Sequence, residues 1–469
     1  MTQSRRQFLT TIGVAGLLGR RVVNGQTAGA PLPSVDLGEP LELLTIRNVS
    51  VIDMTGRPAI HSTTVVLDGN RIVSVGAPSQ SRDSAVLDAK GKFLIPGLWD
   101  MHTHPDMRTL SLFIANGVTG IRVMAAFPGL TEGRDEIARS QRLGPRVVAG
   151  VSFNGPIGSR TSEDWWIVST ADTGRAAVRR ANREGYEFIK VYNRLPRDAY
   201  FAIMDEAHKQ GLPAVGHVPF AVTPAECSNA GQRSFEHMFG IGNVGIDRYE
   251  EWRQSAAANP SGTPGFWDFQ PSVDSFQVSR LTGLARIMRK NKTWICPTLI
   301  ASALLADRPT SADDPRLKFV RPEQKGWWAD SGPTSNPRSR REHPQYMETV
   351  RILHKSGVSI LAGTDAPGVP FTFPGFSLHE ELQLLVGGGL TPLDALRSAT
   401  SGPAEFFGVR KDLRTVEAGK RAELVLLDAD PLADIRNTQR INAVITGGRL
   451  YRRPSLDKML EFAEADARS

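Results

Sequence analysis

The chain reads as an α/β protein: a (β/α)8 (TIM) barrel joined to a small β-sandwich that both chain ends build. Three observations predict it. From Leu98 to about Gly408, short apolar strands alternate with helical segments, as in a parallel sheet wrapped in helices. Before and after that stretch the text is strand-like and broken by turns. Several His, Lys and Asp residues also fall at the ends of the predicted barrel strands, where such a barrel carries its chemistry. The division that follows is 1–30 as a leader, 31–96 as the first part of the sandwich, 97–408 as the barrel, and 409–469 as the second part with a C-terminal tail.

The leader holds Ser4-Arg5-Arg6-Gln7-Phe8-Leu9-Thr10, then a short, weakly apolar run from Thr11 to Gly19. That run is too short for a stable membrane helix. It resembles a bacterial twin-arginine export signal and predicts an exported, periplasmic protein, cut near Ala28-Gly29-Ala30. No later stretch is long and apolar enough to span a bilayer. The net charge is +7, but Arg5, Arg6, Arg20 and Arg21 supply four of those charges and the first 30 residues hold no acid. The remainder shows no long Lys/Arg cluster, which argues against a nucleic-acid partner. Cys227 and Cys296 match no ligand spacing and read as small buried hydrophobes.

From Leu41 to Ile95, strands at 43–52, 63–67 and 71–75 are separated by Gly56-Arg57-Pro58 and by Asp68-Gly69-Asn70, a strong hairpin signal. Barrel strands are predicted at 98–104, 118–124, 146–151, 188–192, 213–218, 234–238, 293–299 and 359–365. Thr223-Pro224-Ala225-Glu226 combines a cap, a first-turn proline and a capping-box glutamate, and Thr391-Pro392-Leu393-Asp394 repeats the cap. Helices are predicted over 176–185, 198–211 and 346–357, each ending at glycine. Between 238 and 293, and from 306 to 344, the connections are long and carry Trp252, Trp267, Trp327 and Trp328; they read as a lid over the pocket. Past Gly408, strands at 416–428, 441–445 and 447–451 return to the sandwich.

The predicted strand ends carry His102 and His104 on the first, Lys190 on the fourth, His217 on the fifth, His237 on the sixth and Asp365 on the eighth. Side chains two apart on a strand share a face, so His102 and His104 can grip one ion. Taken singly, each of the six has an ordinary structural reading: a snorkelling lysine, a core histidine, a turn aspartate. Their arrival together at one barrel mouth favours a metal site.

With those residues the chain resembles the amidohydrolase superfamily, in its imidazolonepropionase-like and prolidase-like branch. The segment Ala418-Gly419-Lys420-Arg421-Ala422-Glu423-Leu424-Val425-Leu426-Leu427 is similar to that family's G-x-x-A-D-L-V-L signature, with Glu423 in place of the aspartate. The resemblance implies a binuclear metal-dependent hydrolase of amide or peptide C–N bonds. His102, His104 and Asp365 would hold one divalent ion and His217 and His237 the other, with zinc the expected metal and a carbamate on Lys190 as the bridge. Metal-activated hydroxide would attack, Asp365 would move the proton, and Tyr192 or His237 would assist at the carbonyl.

The implied substrate is a small molecule, an Xaa-Pro dipeptide or an N-acyl or aryl amide of an amino acid. Arg122, Arg160, Arg338, Arg341 and His379 are candidate grips for a carboxylate, and His379-Glu380-Glu381-Leu382 resembles the family's H-x-E-L helix. Two further readings stand beside this one: a lactonase, phosphotriesterase-like or cyclic-ureide hydrolase on the same site, and a non-catalytic exported binding protein. Whether the chain forms a homo-oligomer is left open.

Overall fold

The computed structural model describes residues 38–77, 84–156, 165–238, 240–258, 275–309, 314–331, 335–413 and 415–468. The export leader, Arg160 and Trp267 lie outside those residues. Seven strands pair in parallel, in sequence order: Leu98–Thr103, Val118–Val123, Arg146–Asn154, Phe188–Val191, Ala214–Gly216, Ser234–Glu236 and Trp294–Cys296. They are the first to seventh barrel strands.

The expected eighth strand, 359–365, is an extended segment held by single bridges to both neighbours. Ile295 N donates to Ser359 O (3.0 Å), and Met101 N donates to Ala362 O (2.9 Å) across the other edge. A regular ladder cannot form there because the backbone is pressed too close. A Cβ on Gly363 would stand 2.8 Å from the His102 nitrogen and 2.5 Å from Cys296 Sγ. The segment still closes the ring and delivers Asp365 beside the first strand.

Alternation along the strands sorts the side chains. Trp99, Met101, Phe188, Val215, Trp294 and Leu361 fill the barrel interior. Ile121, Val151, Ile189 and Val191 instead join the cluster beneath the helices. Lys190 follows Phe188 by two and therefore shares its inward face.

Both chain ends meet in one nine-stranded sheet with a core of its own, including Leu44, Ile46, Val65, Leu67, Leu424, Leu426 and Ile445. Its central pairing is antiparallel, Phe93–Pro96 against Leu424–Leu427, with Pro96 facing Leu424. Only Gly97 separates that strand from the first barrel strand, and Gly97 N donates to Glu423 O (2.8 Å). Sheet and barrel are therefore one continuous backbone at this point.

The Thr223 capping box forms as the sequence predicts. Thr223 N donates to Glu226 Oε2 (2.9 Å) and Glu226 N to Thr223 Oγ1 (3.2 Å). Other helix starts differ from expectation. The helix expected from 176 begins at Ala171, capped by Thr170 and Thr173 in a reciprocal box. The long connections are largely helical: Tyr249–Ala258, Val278–Asn291, Leu299–Ala306, Pro322–Asp330 and Pro337–Lys355. The last starts nine residues before the predicted 346, because Asn336 caps it, Pro337 takes the first turn and Pro344 is accommodated inside. Trp252 packs with Phe220 and Tyr249, and Trp328 stacks on Phe371 at 5.5 Å. The tryptophans in these segments thus anchor inserted helices to the loops that follow the fifth and eighth strands. Among the described residues, no helix is long and apolar enough to cross a membrane.

Candidate metal centre

Four short loops at the open end of the barrel carry the site. The structure brings His102, His104, Lys190, His217, His237 and Asp365 into one cluster. His102 and His237 rings lie 4.5 Å apart, His217 and His237 5.0 Å, and His102 and His104 5.4 Å. Asp365 Oδ1 is 3.3 Å from His102 Nε2 and 3.1 Å from His104 Nε2. Lys190 Nζ is 3.3 Å from His102 Nε2. Tyr192 sits beside them, its ring 4.1 Å from that of His217 and 5.2 Å from Trp165.

The backbone is bent to make this convergence. His237 (φ 64°), Thr298 (φ 47°) and Asp365 (φ 63°) all occupy the left-handed region, which non-glycine residues adopt at a cost. At the fifth strand, Gly216 (φ 126°) lies so close to the fourth that a Cβ would meet Val191 O at 2.2 Å. Only glycine admits His217 to that place.

The electrostatics suit a cation. Burial lowers His104 to about 4 and His237 to about 3, and it holds His217 well below the usual imidazole range. These rings are therefore neutral and hold lone pairs. Burial lowers Lys190 to about 8, so an uncharged amine is within reach near neutral pH. Burial also pushes the Asp365 carboxyl up, yet His237, His102 and His104 overcome it and leave the group well below its ordinary value.

Three buried atoms, His104 Nε2, His217 Nε2 and Asp365 Oδ1, make no hydrogen bond. Unpaired buried acceptors facing one another are costly unless a cation lies between them. One atom each from His102, His237 and Asp365 lie within 4.8 Å of one another, a span that one ion can bridge. The residues present fit a metal.

The chain was then compared with known proteins. Residues 93–451, more than three quarters of the chain, match the Amidohydrolase family. The chain belongs to the amidohydrolase family. It is 36% identical to an ochratoxinase of Aspergillus niger over 108 residues, 22% of this chain and 21% of that protein. The match thus spans only about a fifth of that relative's length. Among solved structures, the bottromycin amidohydrolase superposes with a TM-score of 0.72 at 23% identity, covering 97% of this chain and 96% of the other. A Xaa-Pro dipeptidase with bound methionine gives 0.64 at 21% identity, covering 88% and 100%. At these identities the likeness shows the shared fold.

Several residues of this amidohydrolase sit elsewhere than their sequence suggests. Arg122 does not grip a substrate. It is fully buried, and its guanidinium binds both oxygens of Glu236 (2.7 and 2.8 Å) and Met101 O (2.6 Å). Arg338 is paired with Glu342 at 2.8 Å. Arg341 is exposed on the same helix. His379 is buried between Thr438 Oγ1 (2.9 Å) and Asn116 O (3.1 Å), so it ties the helix after the eighth strand to its surroundings. Both cysteines are buried and unbridged, and burial pushes Cys227 up to about 12, so neither is a ready thiolate.

The sequence gave no notice of three neighbours of the ligand histidines. Glu236 accepts from His102 Nδ1 (2.8 Å), Asn193 Oδ1 bonds His217 Nδ1, and Thr298 Oγ1 bonds His237 Nδ1 (2.7 Å). Glu236 and Asn193 do adjoin predicted site residues in sequence. That adjacency was the available signal, but a strand neighbour ordinarily points the other way.

Proposed function

We propose that this chain hydrolyses an amide or peptide C–N bond in a small molecule at a binuclear metal centre. The substrate class is a dipeptide such as Xaa-Pro, or an N-acyl or aryl amide of an amino acid. One observation carries the reading: three unpaired buried acceptors and a buried, discharged lysine face a common space at the barrel mouth. Membership in the amidohydrolase family and the fold shared with the Xaa-Pro dipeptidase and bottromycin amidohydrolase support it.

His102, His104 and Asp365 would hold one divalent ion, His217 and His237 the second, and Lys190, as its carbamate, both. When bound, such a pair supplies a water of lowered pKa and polarises the scissile carbonyl. The protein's own groups do the rest. Asp365 Oδ1, free of hydrogen bonds, accepts a proton and returns it to the departing nitrogen. The neutral rings of His217 and His237 leave no competing acid in the pocket. Tyr192, against His217, borders the place where the carbonyl would lie and orients it.

The test is metal analysis of the purified protein, followed by turnover assays on dipeptides, N-acyl amino acids, lactones and phosphotriesters. About two zinc-like ions per chain and cleavage of an amide are expected. Lys190→Ala should lose turnover by at least about a thousandfold and bind less metal. A wild-type protein that takes up no metal, or a Lys190→Ala variant that keeps both ions and full activity, overturns the proposal.

A further inference from the structure

We propose that Glu236, held in place by Arg122, is a positioning residue that fixes His102 in the tautomer whose Nε2 lone pair faces the metal pocket. The inference rests on the metal reading of His102 given above, and it concerns a side chain outside the ligand set. Glu236 is wholly buried on the sixth strand, one residue before His237. Its oxygens are saturated. Oε1 accepts from Ser234 Oγ and Arg122 (2.7 Å), and Oε2 accepts from Arg122 (2.8 Å) and His102 Nδ1 (2.8 Å).

Arg122 is equally buried, and it lies near the rings of Phe188 and Phe406, at 5.7 and 5.1 Å. Its charge has no water to solvate it, so it requires a carboxylate counterion. Burial pushes the Glu236 carboxyl up, but Arg122 and the His102 hydrogen bond outweigh that and hold it near about 2. An ionised carboxylate only accepts. His102 Nδ1 must then be the donor, and Nε2 carries the lone pair toward Lys190 Nζ and Asp365 Oδ1, each 3.3 Å away. The other two supports are different in kind: Thr298 offers a hydroxyl, which can donate or accept, and Asn193 an amide. Of these three supports, only Glu236 fixes its histidine with a full charge.

The isosteric variant Glu236→Gln exposes the device. Its amide has one acceptor, which the Arg122 guanidinium claims, so the NH2 group turns to His102 and favours the wrong tautomer. Zinc affinity of the apo-protein, titrated against a competing chelator, should fall by about 10- to 100-fold. In the double variant Arg122→Met/Glu236→Gln the amide oxygen is released to accept from His102, and affinity should recover relative to Glu236→Gln alone. Nitrogen NMR of imidazole-labelled wild-type apo-protein, which needs no variant to fold, should find the His102 proton on Nδ1. A proton on Nε2 overturns the inference. So does a Glu236→Gln protein that binds zinc as tightly as wild type while only its melting temperature falls. Wild type that binds no zinc overturns the hydrolase reading itself, so the two failures are distinguishable.

Discussion

At the scale of single residues, buried carboxyls behave according to what surrounds them. Glu236 faces an arginine and stays ionised; Glu381, equally buried on the helix after the eighth strand, does not. Glu381 accepts from Ile300 N (2.8 Å) but its Oε1 makes no hydrogen bond, and burial raises it from 4.5 to about 8. The folded state therefore keeps this proton up to about pH 8, whereas the unfolded chain loses it near 4.5. Its stabilising contribution is full below pH 4.5 and lost as pH rises toward 8. Glu381→Gln removes that loss. Urea unfolding at pH 5 to 8 should show the variant gaining on wild type by up to about 1.4 kcal/mol per pH unit. Parallel stability profiles would sink the argument.

The contrast also marks what was legible. His102, His104, Lys190, His217, His237 and Asp365 stand at strand ends, and strand periodicity alone brings strand ends to one mouth. Arg122 also stands at a strand end, and sequence cannot tell a buried counterion from a substrate grip. The partner that decides the matter, Glu236, is 114 residues away. The left-handed turns at His237 and Asp365 left no trace in composition either, since neither position uses glycine.

At the scale of elements, caps are the most local signal and the most dependable one here. The Thr223 box starts the helix Pro224–Asn229, a few residues after His217. Thr223→Ala should cost roughly 1 kcal/mol of stability, read from the urea midpoint, with metal content unchanged. A loss of metal with no loss of stability would mean that the loop, and not the cap, is what Thr223 serves. Pro- and Arg-rich composition misled in the opposite way. The stretch before Pro344 reads as loop because proline usually ends a helix, yet Asn336 and Pro337 begin one there and the chain carries Pro344 through. The eighth strand was correctly located but not its irregular bonding, which comes from a contact between Gly363 and the first strand.

For the molecule as a whole, the terminal sheet and the barrel share the backbone through Gly97, and the C-terminal helix Arg453–Arg468 lies against the first barrel helix, Leu110–Ala115. Neither part can be withdrawn without exposing the other. Leu426 is buried in the sheet core, so Leu426→Ala should cost about 2–5 kcal/mol. Because the parts are joined, fluorescence from the barrel tryptophans Trp99 and Trp294 should shift in step with far-UV dichroism, as a single transition. Two separated transitions would refute the coupling.

The pairing of Phe93–Pro96 with Leu424–Leu427 sets a timetable for biogenesis. At ribosomal speeds of about 5–20 residues per second, the first of these strands waits about 15 to 70 seconds for its mate. Throughout that interval an apolar ribbon, Phe93-Leu94-Ile95, is on offer to any chaperone or neighbouring nascent chain. Yield in the cell should accordingly respond to holdase supply and to translation rate more than the finished protein's stability would suggest.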